Sequence, residues 1–195
     1  MHILSETQDW LPQAIDILRQ GGVVAHATET CYGLACDMTN PEAVARLFAV
    51  KDRPAHQPVS ALFTSVEDAK RYMEWNAQAE ELAQDGLPGP LTIILRVQPQ
   101  APHALFPTPT GGATVGVRVS PHPIATALVQ AFGTPITTTS ANVHGLPNPY
   151  SVEDILSQFS KNRIVPDLVI DSGKLDQNPP STVVDVSDGV KKTRR

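Results

Sequence analysis

The sequence predicts an α/β fold of the α+β kind, a mixed sheet with helices packed on it, from three observations. Short apolar runs alternate with longer segments whose apolar residues recur at helical spacing. Capping and turn residues mark the boundaries between them. The order is irregular, because Leu91–Val97 and Thr114–Val119 are joined by a Pro-rich loop without a helical pattern, which argues against a uniform parallel βαβ array.

Each element has a local reason. Trp10, Leu11, Ala14, Ile15 and Leu18 form one helical face, and Gly21-Gly22 supplies a left-handed stop. Val23–Ala27 reads as a buried strand, with Cys31 and Cys36 flanking an expected turn at Gly33. Asn40 as N-cap and Pro41 at the first helical position open a second helix that ends at Lys51. Val59–Phe63 is the next strand, followed by a capping pattern at Ser65 and Asp68 and a helix near Arg71–Trp75. Leu91–Val97 and Thr114–Val119 are strands, Pro123–Phe132 is a helix stopped by Gly133, and Ile136–Thr139 is a β-branched strand. Ser151 and Asp154 cap a helix through Phe159, and strands at Leu168–Asp171 and Thr182–Val186 complete about seven strands and five helices.

Composition bounds the function. The 195 residues, 41% of them apolar, are expected to form one domain over residues 1–195, without a dividing linker or an internal repeat. A charged fraction of 18% is too low for a solvated polyelectrolyte. Apolar runs fall short of the roughly 20 residues a membrane helix needs, and Glu6, Asp9, Asp16 and Arg19 interrupt the start. Neither a membrane span nor a secretory signal is expected, and two cysteines suit a reducing cytoplasm. The net charge is −5, but a basic tail over residues 187–195 holds Lys191, Lys192, Arg194 and Arg195. Without those four basic residues the chain carries about −9, which opposes non-specific binding to nucleic acid.

Several polar groups suit ligand chemistry. Thr28-Glu29-Thr30 and Thr137–Asn142 lie at or just beyond strand ends, where open sheets bind ligands. Lys51 and Arg53 combine a point charge with a planar fork, suited to phosphate or carboxylate, although such pairs are commonly solvated surface charges. Arg118 is embedded in a predicted strand and needs either an anionic ligand or an internal carboxylate. Ser140 and Asn142 offer hydroxyl, amide and backbone groups together, or an ordinary cap. Ser181 and Thr182 face a site or form strand-entry turn chemistry. The histidines lack metal-ligand spacing, so no protein-held metal is expected. No GxSxG, GxxxxGK[ST] or GxGxxG motif is present, which disfavours covalent catalysis through a nucleophile elbow and the two common nucleotide loops.

Taken in order, these segments resemble a known family. They are Gly21-Gly22-Val23-Val24-Ala25, Thr28-Glu29-Thr30-Cys31-Tyr32-Gly33-Leu34, Lys51-Asp52-Arg53-Pro54, Pro88-Gly89-Pro90-Leu91-Thr92 and Val115-Gly116-Val117-Arg118-Val119. His122-Pro123, Thr139-Ser140-Ala141-Asn142 with Gly145, and Ser181-Thr182-Val183-Val184-Asp185 continue the pattern across the chain. It resembles the YrdC-type threonylcarbamoyl-AMP synthases. The resemblance implies a twisted mixed sheet with a concave, positively lined cavity. It also implies a nucleotidyltransferase that joins ATP, L-threonine and bicarbonate or CO2 into threonylcarbamoyl-AMP and pyrophosphate. Downstream threonylcarbamoyl-transfer proteins then modify tRNA.

The resemblance further implies that Lys51 and Arg53 are catalytic and hold ATP with Asn142 and Arg194, while Thr28, Arg118, Ser140 and Ser181 contact threonine. Mg2+ is expected to arrive with the nucleotide. His26-Ala27 stands where the family usually has an aromatic residue and proline, so the threonine pocket wall is expected to differ. The ending at Arg195 resembles the short form of the family, and Lys192-Thr193 replaces its usual apolar pair before Arg194. Two alternatives stay open: a non-catalytic RNA-binding protein of the same fold, and a related enzyme that uses another acyl acceptor.

Overall fold

The computed structural model describes residues 1–54 and 56–194, the last of these by its backbone alone. The first half comprises β1 (His2–Ser5), α1 (Leu11–Arg19), β2 (Val24–Ala27), β3 (Tyr32–Ala35), α2 (Pro41–Lys51), β4 (Ser60–Leu62), α3 (Val66–Lys70) and α4 (Ala77–Gly86). The second comprises β5 (Leu91–Arg96), β6 (Thr114–Arg118), α5 (Pro123–Phe132), β7 (Ile136–Ser140), α6 (Val152–Phe159), β8 (Leu168–Asp171), β9 (Thr182–Asp185) and β10 (Lys192–Arg194).

All ten strands join one mixed sheet in the order β1-β8-β2-β3-β7-β4-β6-β5-β9-β10. Parallel pairs (β1 with β8, β4 with β6, β5 with β9) are mixed with antiparallel ones (β2 with β3, β4 with β7, β5 with β6). β1 enters the sheet beside β8, a partner more than 160 residues away, which no local pairing of hairpins would give.

Local chemistry sets the helix ends. Asn40 Oδ1 accepts from the Glu42 amide at 2.9 Å, and Pro41 needs no partner there. Ser151 and Asp154 form a complete capping box. At Ser65 the cap is one-sided, because the Asp68 carboxylate turns to the Thr64 hydroxyl at 3.0 Å.

Two expectations change. Gly33 lies inside β3, paired with His26 on one side and Ser140 on the other, so it is a strand residue. The helix expected near Arg71–Trp75 ends at Lys70, because Tyr72 and Met73 pack as a bend with Met73 bridging Val97. The separate α4 follows it. Within the basic tail, Lys192 pairs opposite Asp185 and Thr193 opposite Val184.

The sheet's two faces differ. Cross-strand partners share a face, as do residues two apart along a strand. On one face Ala25, Leu34, Ala61, Ile93, Leu95, Val115 and Val117 meet α2, α4 and α6 in the larger core. On the other, Val24, Ala35, Leu62, Ile136, Leu168 and Ile170 are covered by α1 and α5 through Leu18, Leu128 and Val129. Those two helices cover only part of this second face. The rest carries the cavity.

Candidate active site

The cavity floor follows from side-chain size. Gly33 pairs with Ser140, Ser60 pairs with both Thr138 and Gly116, and Thr92 and Arg118 project from the same face. Two glycines and a row of short hydroxyls clear this surface, leaving a cavity of about 580 Å³. Ten of its sixteen lining residues carry hydroxyls, among them Thr28, Thr30, Ser181 and Thr193, and Arg118 is the one charged lining residue among the described residues. The wall is therefore hydroxyl-rich, with its positive charge concentrated at Arg118.

Arg118 is held from one side. It is 7% exposed, and its Nη2 donates to Glu29 Oε1 and to Thr30 Oγ1 at 3.2 Å. The second Glu29 oxygen accepts from the Ser120 hydroxyl. The internal carboxylate and the open cavity thus coexist at one guanidinium. Its buried Nε has no partner among the described residues, leaving unused donor capacity beside the cavity.

Lys51 stands behind the wall. It is 1% exposed at the end of α2, and its Nζ donates to the Ser140 carbonyl, the Asn142 carbonyl at 2.9 Å and Asn142 Oδ1 at 3.0 Å. Asn142 Oδ1 also accepts from the Ser140 hydroxyl at 2.6 Å. Burial, with the nearby Arg53 charge, lowers the Lys51 pKa to about 7. The helix C-terminus and three carbonyl oxygens favour its charged form. Lys51, Ser140 and Asn142 therefore form one hydrogen-bonded unit.

Arg53 lies one residue beyond Asp52, which adopts a left-handed conformation at φ 51°. Its guanidinium donates to the Gln57 and Pro58 carbonyls, each at 2.9 Å, and lies 5.9 Å from the Phe48 ring centroid. Burial lowers its pKa. It is near Lys51 in charge but absent from the cavity lining.

Thr28 and Ser181 line the cavity with their hydroxyls already engaged. Thr28 Oγ1 donates to the Cys31 carbonyl at 2.7 Å and accepts from the Thr30 amide at 3.2 Å, which builds the turn between β2 and β3. Ser181 Oγ lies 3.0 Å from Thr92 Oγ1. The side chain of Arg194 is outside the described residues, although its backbone pairs opposite Val183. Burial raises the Cys31 pKa despite its place on the wall, so its thiol stays protonated.

Glu29's contact with both Arg118 and Ser120 was not predicted from the sequence, nor was the clearing role of Gly33, Gly116, Ser60 and Thr92. A local signal exists: small or hydroxyl residues interrupt otherwise apolar strands at Ser60, Thr92 and Gly116. Among the described residues, no group of three His, Cys, Asp or Glu side chains is placed to hold a metal. No helix among them is long and apolar enough to cross a membrane.

Comparison with known proteins agrees with the fold. A threonylcarbamoyl-AMP synthase of Vibrio cholerae is 35% identical over 181 residues, covering 90% of this chain and 92% of that protein. One from Halorhodospira halophila is 40% identical over 144 residues, 73% of each chain. The crystal structure of P. abyssi Sua5 complexed with L-threonine matches with a TM-score of 0.85 and 32% identity, covering 100% of this chain and 56% of that one. This chain therefore spans just over half of that structure. The family model Sua5_yciO_yrdC, described as "Telomere recombination", matches residues 16–195. The chain belongs to the Sua5/YciO/YrdC family.

Proposed function

We propose that this protein is a threonylcarbamoyl-AMP synthase, joining L-threonine, CO2 or bicarbonate and ATP with release of pyrophosphate. The observation that carries the reading is Arg118, a buried guanidinium with unused donor capacity on the wall of a hydroxyl-lined cavity. Relatives bearing that enzyme name, and the threonine complex of a related fold, support it.

In this reading the threonine carboxylate pairs with Arg118, and its backbone and side-chain groups lie among Thr28, Ser140 and Ser181. A hydroxyl-lined, partly enclosed site favours one orientation of a small zwitterion. Asn142 and Arg194 face the nucleotide, and Lys51 and Arg53 stabilise its phosphates. Lys51 would exchange one of its three carbonyl acceptors for a phosphate oxygen. Mg2+ would accompany the ATP phosphates and supply charge neutralisation there.

The threonine ammonium first gives up one proton to solvent, and the resulting amine nitrogen forms a bond to the carbon of CO2 and releases a second proton to solvent, giving a carbamate. A carbamate oxygen then forms a bond to the α-phosphorus, and the bond from that phosphorus to the bridging oxygen of pyrophosphate breaks. Charge builds on the leaving oxygens, where fixed cations act without a covalent enzyme intermediate. In this reading the product passes to transfer proteins acting on tRNA, and the enzyme works in the cytoplasm beside them. Incubating the protein with MgATP, L-threonine and bicarbonate tests this by mass spectrometry. A threonylcarbamoyl-AMP ion is expected; its absence with folded, threonine-bound protein contradicts the reading.

A further inference from the structure

The sheet row that floors the cavity continues past Gly33 to His26, its partner on β2. His26 is fully buried, and its Nδ1 lies 3.0 Å from the Ala27 carbonyl. A carbonyl oxygen only accepts, so Nδ1 carries the proton and Nε2 presents a bare lone pair. Nε2 has no hydrogen-bond partner among the described residues. Burial is the main cause that lowers the His26 pKa to about 4, so the ring is neutral near pH 7.

The ring tip reaches Gly33. A Cβ built on Gly33 would lie 3.6 Å from His26 Nε2, 3.6 Å from Thr28 Cγ2 and 3.5 Å from the Thr139 carbonyl oxygen. Gly33, Thr28 and Thr139 all line the cavity. The missing side chain thus leaves room for a methyl-sized ligand group within contact distance of the Thr28 methyl and of His26 Nε2, which is itself buried just behind the cavity lining. A hydroxyl supplies the donor that Nε2 lacks, and an adjacent apolar carbon packs on the Thr28 methyl.

Accepting the amino-acid reading of the cavity, we propose that His26 Nε2 accepts a hydrogen bond from the substrate side-chain hydroxyl and sets its preference for a β-hydroxy amino acid. His26 is then a specificity-determining contact reached across Gly33. A buried acceptor that meets a hydroxyl in one substrate and a methyl in another discriminates strongly, because the second leaves it unpaired.

The test compares kcat/KM for L-threonine and L-valine, which exchange hydroxyl for methyl at similar shape, in wild type, His26→Phe and Gly33→Ala. Wild type should favour threonine by at least about 100-fold, and both variants should reduce that ratio to below about 10-fold. Gly33→Ala keeps His26 while placing a methyl at ordinary contact distance from Nε2, so it tests access even if His26→Phe does not fold. On the wild-type protein, the ¹⁵N resonance of His26 Nε2 should move on saturation with threonine and stay in place with valine. An unchanged ratio in the folded variants, or an unmoved resonance in threonine-bound protein, overturns the His26 assignment alone. Absence of threonine binding to wild type instead overturns the amino-acid reading and the assignment with it.

Discussion

Lys51 Nζ binds Asn142 twice, at its backbone carbonyl (2.9 Å) and its side-chain Oδ1 (3.0 Å), joining the end of α2 to the segment after β7. The same Nζ also donates to the carbonyl of Ser140 on the cavity wall. A helix end thereby controls the position of two candidate ligand contacts without itself lining the cavity.

Replacing Lys51 by Met keeps much of the stem but leaves these oxygens without their donor. A cost of about 2–4 kcal/mol is expected from unmaking such buried bonds. Pyrophosphate release should fall by at least about 100-fold, which is about 2.7 kcal/mol in the barrier. Denaturant titration and single-turnover kinetics check both; full turnover in the folded variant removes Lys51 from the mechanism.

Arg118 and Glu29 share an ion pair with side chains 9% and 17% exposed. Arg118→Ala should therefore destabilise the fold by about 3 kcal/mol, because a largely buried carboxylate loses its cation. Arg118→Lys retains charge but loses the planar fork, so the KM for threonine should rise about 10–100-fold with a smaller loss of stability. Chemical denaturation and threonine titration separate the two effects.

The two floor glycines should respond differently to a methyl. A Cβ on Gly116 would meet Ser60 Oγ at 2.5 Å and Thr92 Cγ2 at 2.8 Å, whereas the nearest atom to one on Gly33 lies at 3.5 Å. Gly116→Ala should cost about 1–3 kcal/mol through overpacking. Gly33→Ala should stay within about 1 kcal/mol of wild type in denaturant, while its activity changes through the cavity floor.

Acid should expose the burial of His26. Its folded pKa of about 4 lies below the ordinary value of 6.5, so between those values the unfolded chain binds the proton and the folded chain does not. Stability from this group is fully present above about pH 6.5 and declines as pH falls toward 4. The integrated loss is about 3 kcal/mol. His122 and Glu29 also bear on His26, so the comparison is wild type against His26→Phe at each pH. The variant should show a flatter profile over that window; parallel profiles contradict the assignment.

Much of this fold is legible locally. Asn40-Pro41, Ser151 with Asp154, and Gly133 announce helix ends through their own side chains or backbone freedom, and the structure uses each at a cap. β1 carries a weaker signal because its pairing depends on distant β8, and β10 because its neighbour β9 is itself placed by distant β5. β3 was hidden because Gly33 suggested a turn, whereas its role is to leave space beside His26. The site was legible as residue types and incomplete as geometry. Lys51, Arg118, Ser140, Asn142 and Ser181 stood out, but their mutual distances depend on a strand order that interleaves remote segments.

The central claim is tested most directly by pyrophosphate release from MgATP, with L-threonine and bicarbonate each omitted in turn and serine as a comparison amino acid. The account predicts release that requires both an amino acid and bicarbonate, with threonine preferred. Release independent of threonine, or none from folded protein that binds threonine and ATP, would contradict it.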